Sequence, residues 1–567
     1  MKKLDRQMWQ RFWDIATPYW RQGEKWKAWG LLSLLVILLL GQTKFAVLFN
    51  EQTGEFTSAL AARDSERFWS SIKFCLGLVI VAVPIYAFIY FVRDKLGIYW
   101  RRWLTHSFLD NYFSKRHYYE LNSNSGIDNP DQRIAEDINT FTGRTLFFLM
   151  IFIGSSLQLV AFSTVLWSIS QGLVYFLVLY SIAGTLITVF LFGKPLIGLN
   201  FLQLKREADF RFSLVRVREN AESIAFYRGE AQESVQVKRR FAEAFNNFNK
   251  LIKSQFFLNL FQYSYSMLTI VLPSAIIASQ VLSGELEVGR AIQAAGAFAA
   301  VLSAISLIVE NFESLSRFAA GIDRLNTFSL AMTDQATAKA RAGGVIHLVE
   351  NPCLALEKVT LQTPNYGRVL VKNLSVAINR GEGLMIVGES GCGKSSLLRA
   401  IAGLWYSGSG KIIRPCPEDI LFLPQRPYML MGTLRSQLLY PKKDIPVSDT
   451  ELLTLLESVN LPELADRVGG LDVQMDWGNI LSIGEQQRLA FARVLLTKPS
   501  YAMLDEATSA LDVANEESLY EQLVATETTL VSVGHRSTIL KYHKQVLVLT
   551  GDSEWESHAA KGYCFNQ

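Results

Sequence analysis

The chain is poor in charge. Asp, Glu, Lys and Arg supply 19% of its 567 residues, while 50% are hydrophobic and 12% aromatic. Soluble domains carry about 25% charged residues, so a large part of this chain is not built to face water. The net charge of +4 is too mild to indicate nucleic acid as a partner. Cysteine is scarce and scattered: Cys75, Cys353, Cys392, Cys416 and Cys564 show no metal-ligand spacing. Their odd number, with one inside a glycine-rich loop, favours reduced thiols facing a cytosol. A cleavable signal peptide is also missing, because the basic start runs into aromatic, amphipathic sequence without a small-residue cleavage site. The length exceeds what one core organises, so two or more domains are expected.

What the first part of the chain has is long apolar runs. Six stretches, 28–49, 70–92, 146–169, 173–195, 257–282 and 289–310, each approach the ~20 residues needed to cross a bilayer. The third and fourth are separated by little more than Ser170–Gly172, and the fifth and sixth by Ser283–Val288. The connections 93–145 and 196–256 are long, polar and basic, which places them and both termini in the cytoplasm. They are expected to continue the spans as helices. Within them, Asn129 is a candidate cap with Pro130 at the first helical position, and 219–230 reads as a short helix ending at Gly229. Both are candidates to touch the second domain, or are simply solvated loops. Residues 1–27 hold Met8-Trp9-Gln10-Arg11-Phe12-Trp13 and Pro18-Tyr19-Trp20, which reads as an interfacial helix with tryptophan anchors, or as a soluble helix packed on the cytoplasmic loops. Polar residues inside the spans are few. Glu310, at the end of the sixth, is a candidate for the transport pathway, or an ordinary helix-end carboxylate.

A polar linker is expected over 329–352, and the pattern after it alternates short β-rich runs with helical stretches, the mark of an α/β domain over 353–567. Gly388-Glu389-Ser390-Gly391-Cys392-Gly393-Lys394-Ser395 is a complete phosphate-binding loop between an apolar strand and a helix that starts at Ser396. Its backbone N–H groups and the helix N-terminus suit the phosphates of ATP. Lys394 suits the β- and γ-phosphates, and the Ser395 hydroxyl suits Mg²⁺. Further on, the apolar strand Tyr501-Ala502-Met503-Leu504 ends in Asp505 and Glu506. Asp505 fits the magnesium-side carboxylate and Glu506 the base that polarises the attacking water.

Between these stands Leu481-Ser482-Ile483-Gly484-Glu485-Gln486-Gln487-Arg488, which resembles the signature motif of ABC transporters. Gln425 in Leu423-Pro424-Gln425 is similar to that family's glutamine loop, Asp512 in Ser509-Ala510-Leu511-Asp512 to its D-loop, and His535 in Gly534-His535 to its switch histidine. The resemblance implies that Gln425 adds to the magnesium site and to catalysis, and that His535 contacts the γ-phosphate. It also implies that Ser482, Gly484 and Glu485 meet ATP held by a partner subunit. One phosphate loop and one signature imply a half-transporter, with a homodimer as the default. Asn129–Ile134, Glu222–Gly229 and the surroundings of the phosphate loop resemble subfamily D, the peroxisomal acyl-CoA transporters, and the ATPase-fused bacterial SbmA/BacA-like transporters. Ile483 and Glu485 depart from the commoner Gly and Gln of the signature. Tyr366 is the candidate for stacking on adenine. The chain starts almost at the interfacial helix without the long leader of peroxisomal members, which implies a bacterial plasma membrane. The implied fold is six exporter-type transmembrane helices fused to an ABC ATPase. The implied activity is ATP-driven transport of a bulky hydrophilic solute such as cobalamin or a peptide, with acyl-CoA transport or an ATP-gated channel or regulator as alternatives.

Overall fold

The computed structural model describes residues 6–123, 130–341, 344–364, 366–442 and 445–564. It divides into two compact units, Met1–Gln335 and Ala336–Gln567.

The first unit is helical. Its opening helix, Arg6–Gln22, buries Ile15, Ala16 and Tyr19 and stacks Tyr19 on Trp100 at 5.7 Å. Trp9 and Trp13 stay exposed on its other side. One face thus packs on protein while the aromatic anchors point outward. Among the described residues, six helices are long and apolar enough to cross a membrane: Lys25–Ala61, Ser65–Leu121, Pro130–Ile169, Gln171–Phe192, Glu230–Leu282 and Val288–Leu307. They are called spans one to six here.

Several outrun the apolar windows because the polar connections continue as helix. The fifth helix has 53 residues, about 80 Å at the usual rise and far more than the ~30 Å hydrocarbon core. Lys194–Glu219 extends span four in the same way. Between these two extensions sits the short helix Ala221–Tyr227, closed by Arg228 at a left-handed φ of 52° and then Gly229. The other expected short helix begins at Pro130, and its proposed cap Asn129 lies outside the described residues.

Close helix crossings tie the spans. A Cβ on Gly289 would lie 1.9 Å from the Gly54 carbonyl oxygen, so spans one and six meet where only glycine fits. The Gly289 N–H donates to Ser58 Oγ at 3.1 Å. Nearby, Arg67 pairs with Glu55 at 2.5 Å and with Glu287 at 3.5 Å. Tyr180 and Tyr265 lock spans four and five. Their rings stack at 4.2 Å, and each hydroxyl donates to the other's backbone carbonyl, at 2.7 and 2.9 Å.

The stretch 329–352 is not a bare linker. Its first part is the end of the helix Phe312–Arg341, and its last part holds the first strand of the second unit.

That unit contains β1 (His347–Glu350), β2 (Leu354–Gln362), β3 (Val369–Ile378), β4 (Leu384–Gly388), β5 (Gly408–Arg414), β6 (Ile420–Leu423), β7 (Met431–Thr433), β8 (Gln474–Asp476), β9 (Tyr501–Asp505), β10 (Thr529–Val533), β11 (Gln545–Leu549) and β12 (Trp555–Ala559). A six-stranded sheet runs β12-β11-β4-β10-β9-β6, a four-stranded sheet runs β1-β5-β2-β3, and β7 pairs β8. From β11 to β6 the larger sheet is parallel. Parallel strands are covered on both faces and read as unbroken apolar runs. Leu384–Val387 and Tyr501–Leu504 are such runs, and every residue in them is buried. The signature helix is Ile483–Thr497, with Ser482 as its N-cap. The helix after the phosphate loop starts at Lys394, two residues earlier than expected.

Candidate functional site

Four connections leave the C-terminal ends of four adjacent parallel strands. β4 leads into the phosphate loop, β10 to His535, β9 to Asp505 and Glu506, and β6 to Gln425. Ligand sites of open α/β sheets lie outside these strand ends. Sheet order therefore brings together residues far apart in sequence.

The phosphate loop turns on glycines. Gly388, Gly391 and Gly393 have φ of 148°, 82° and 110°, values costly for other residues. A Cβ on Gly388 would also lie 2.3 Å from the Leu549 carbonyl oxygen. Between them Cys392 is 3% exposed. Lys394 Nζ donates to the carbonyls of Gly388 and Glu389 at 2.7 and 2.8 Å. Ser395 Oγ donates to Asp505 Oδ1 at 3.0 Å. Burial pushes the Asp505 carboxyl up and the neighbouring Glu506 charge adds to this, while the Ser395 bond opposes it.

Glu506 sits at a left-handed φ of 49°, fixed where its N–H donates to the Val533 carbonyl at 3.1 Å. Strained backbone of this kind persists only where the surroundings hold it. One oxygen of Glu506 accepts from Gln425 Nε2 at 3.0 Å, and the other lies 3.5 Å from His535 Nε2. Gln425, Glu506 and His535 are thus assembled around one carboxylate.

Ser482, Gly484 and Glu485 open the signature helix. Ser482 caps it, and Glu485 closes a capping box on Ser482 N at 2.8 Å. Burial would raise the Glu485 carboxyl, but hydrogen bonds from Arg467 and Ser482 outweigh it and hold it below the usual range. Glu485, which departs from the commoner signature residue, therefore has a structural job as a cap. A Cβ on Gly484 would stand 3.2 Å from the Ala510 carbonyl oxygen, so the D-loop lies against the signature. Asp512 caps the helix Val513–Ala525 through Asn515 N at 2.8 Å, which holds its carboxyl low. Tyr366 is on the β2–β3 connection, 39% exposed, and its hydroxyl donates to the Gly344 carbonyl at 3.3 Å. Leu370, early in β3, lies against Gly393, so that connection opens beside the phosphate loop. Glu310 ends the sixth-span helix, and its side chain lies outside the described residues.

One residue given no role in the sequence reading is central. Gln487 is fully buried. It donates to the Gln425 carbonyl at 3.0 Å and to Ser509 Oγ at 3.1 Å, and accepts from Ala510 N at 3.1 Å. It ties the glutamine loop, the D-loop and the signature helix together. The only signal in the sequence was its place inside the signature motif.

In the membrane unit, a cavity of about 260 Å³ lies among spans four, five and six. Ser181, Thr185, Thr188, Gln262, Thr269 and Ser303 are among its lining residues, and none of the lining residues is charged.

A strand-end ATP site in one unit and six spanning helices in the other define a membrane transporter driven by an ATPase. Residues 21–282 match the family model "ABC transporter transmembrane region 2", and residues 371–509 match "ABC transporter". The chain is 47% identical to an uncharacterised ABC transporter ATP-binding protein of Synechocystis, covering 94% of this chain and 82% of that one. It is 39% identical to ABC transporter D family member 2, chloroplastic, of Arabidopsis thaliana, covering 96% and 86%. It is 32% identical to the human lysosomal cobalamin transporter ABCD4, covering 98% and 96%. The structure of a bacterial Atm1-family ABC exporter with ATP bound superposes with a TM-score of 0.74 at 20% identity, covering 94% of this chain and 96% of that one; this similarity speaks to the fold. The chain belongs to the ABC transporter family and is a half-transporter of the D type. It is a multi-pass membrane protein with a cytoplasmic ATPase unit, and it binds ATP and couples hydrolysis to transport.

Proposed function

We propose that two copies of this chain form a pump in a bacterial inner membrane that moves a bulky hydrophilic solute such as cobalamin or a peptide by alternating access. The observation that carries the reading is a set of six spanning helices in a chain that also holds a complete strand-end ATP site; the uncharged, hydroxyl-rich cavity among spans four to six is smaller than such a solute and offers it a polar wall. Hydroxyls and amides suit a polar solute, and a relative across nearly the whole length is named as a cobalamin transporter.

ATP binding draws Lys394 from the Gly388 and Glu389 carbonyls to the β- and γ-phosphates. The backbone of Gly388–Gly393, together with Ser396, cradles the phosphates, and Tyr366 stacks on adenine. Ser395, Asp505 and Gln425 are an oxygen donor set that fits Mg²⁺. When bound, that ion neutralises charge on the phosphates. Glu506, oriented by Gln425, takes the proton of the water that attacks the γ-phosphorus, while the bond to the ADP oxygen breaks. His535 steadies the γ-phosphate. Ser482 and Gly484 of each copy reach ATP held by the other, with Glu485 shaping that turn and Asp512 holding the D-loop between them. Closure and reopening of the ATPase pair would switch the spans between their two states.

The test is ATP-dependent movement of labelled cobalamin in proteoliposomes, with Glu506→Gln protein as the blank. With ATP outside, only molecules with outward-facing ATPase units work. Luminal accumulation means export from the cytoplasm, and loss from preloaded vesicles means import. Neither, with ATPase activity intact, removes cobalamin as the cargo.

A further inference from the structure

His535 is exposed, and its Nε2 stands 3.5 Å from Glu506, longer than an ordinary hydrogen bond. That contact is too weak to fix the ring, so its place depends on the backbone that follows β10. A buried carboxylate holds that backbone. Glu516, in the helix Val513–Ala525, has no exposure. Its Oε1 accepts from Thr508 Oγ1 at 2.6 Å, and its Oε2 accepts from Thr538 Oγ1 at 2.8 Å. Arg536 Nη1 lies 3.4 Å from Oε1. Thr508 is two residues past Glu506, while Arg536 and Thr538 are one and three residues past His535.

Arg536 extends the grip. Its Nη1 donates to the Leu511 carbonyl at 3.0 Å and its Nη2 to the Ser509 carbonyl at 3.5 Å, and Ser509 N donates back to the Glu506 carbonyl at 3.0 Å. The segment that carries the base and the segment that carries the histidine are thus joined through one carboxylate and one guanidinium. A fully buried carboxylate is a poor device for stability alone, since an apolar side chain of similar volume often serves as well or better. What it adds is a fixed distance between two loops.

We propose that Glu516 is a positioning residue for ATP hydrolysis: with one oxygen on Thr508 and the other on Thr538, beside Arg536, it sets where His535 stands relative to Glu506. This role rests on the functions given above to Glu506 and His535. It acts on the chemical step and not on nucleotide binding, because none of its partners belongs to the phosphate loop.

The experiment compares full-length wild type, Glu516→Gln, His535→Ala and the double variant in nanodiscs. Phosphate release is measured over a range of ATP concentrations, with single-turnover release of labelled phosphate for the slow variants, beside fluorescent-ATP binding and thermal melting. Glutamine keeps the volume but cannot accept at both ends. The expected result for Glu516→Gln is a kcat at least ~10-fold lower, with KM and ATP affinity within ~2-fold of wild type. In the His535→Ala background the same change should cost less than a further ~2-fold. A carboxylate that merely stabilises the fold would lower melting and take the same fraction of activity in both backgrounds. Thr538→Val releases only the histidine segment and should lower kcat at least ~3-fold in the same pattern; it replaces Glu516→Gln if that variant does not fold. Wild-type kcat, or equal fractional losses with and without His535, overturns the proposal. Wild-type turnover by His535→Ala refutes the role of His535 and this one with it, whereas a slow His535→Ala beside a fully active Glu516→Gln refutes this one alone.

Discussion

Replacing Gln487 with leucine isolates how the catalytic loops are held. Leucine nearly conserves the volume but removes all three hydrogen bonds that Gln487 makes to Gln425, Ser509 and Ala510. The Ser509 hydroxyl, which accepts from Gln487, can rotate to meet another donor. The Gln425 carbonyl and the Ala510 N–H cannot, because the site is dry at a residue with no exposure. Each unsatisfied group costs about 1–3 kcal/mol, so the unrelaxed site loses about 2–6 kcal/mol. That is a large share of a domain stability of roughly 5–15 kcal/mol. The loops can avoid part of this cost by moving, but the glutamine loop carries the Nε2 donor to Glu506 at 3.0 Å. A displacement of about 1 Å in such a constellation costs on the order of 100-fold in rate. Gln487→Leu should therefore lower phosphate release about 10- to 100-fold while ATP affinity, which rests on the phosphate loop, changes little. Phosphate release in nanodiscs, fluorescent-ATP binding and thermal melting of the same sample read all three quantities. Wild-type turnover together with unchanged melting would refute the argument.

His543 gives a pH prediction. Burial holds its imidazole down to about 4, against an ordinary value near 6.5. The unfolded chain takes up this proton first, so the stability is complete above about pH 6.5 and is lost as pH falls toward 4, by roughly 3 kcal/mol in all. Acid melting of His543→Gln should be flatter over that window, and an identical acid slope would count against the assignment. In the membrane unit, Gly289→Ala forces a methyl against the Gly54 carbonyl and should cost about 1–3 kcal/mol. Gly198→Ala, where a Cβ meets nothing within 4 Å, is the control. Equal melting temperatures for the two variants would show that spans one and six are not so closely packed.

The phosphate loop was legible because its information is local: glycines, Lys394 and Ser395 within eight positions. The Asp505–Glu506 pair was legible because a fully buried parallel strand has to be apolar up to the point where it ends at the site. The meeting of Gln425, Glu506 and His535 depends on strand order, which composition does not encode, so it was reached by resemblance alone. Gln487 was missed for the same reason, since its partners come from two separate loops. Hydropathy located the spans but not their lengths, because the extensions past Val92 and before Phe257 are polar helix in water. The stretch 329–352 was read as linker because a polar helix end and the mostly exposed strand His347–Glu350 carry neither an apolar stripe nor a clear alternation. The Tyr180–Tyr265 lock joins residues 85 positions apart and had no signal beyond two tyrosines in apolar runs.

The central claim is that Glu506 is the base of an ATP site completed by a second copy. Its most direct test is to measure phosphate release and retained nucleotide for Glu506→Gln beside the wild type in the same nanodiscs. The account predicts that the variant binds and retains ATP while phosphate release falls by at least ~100-fold. Wild-type turnover by the variant would contradict it.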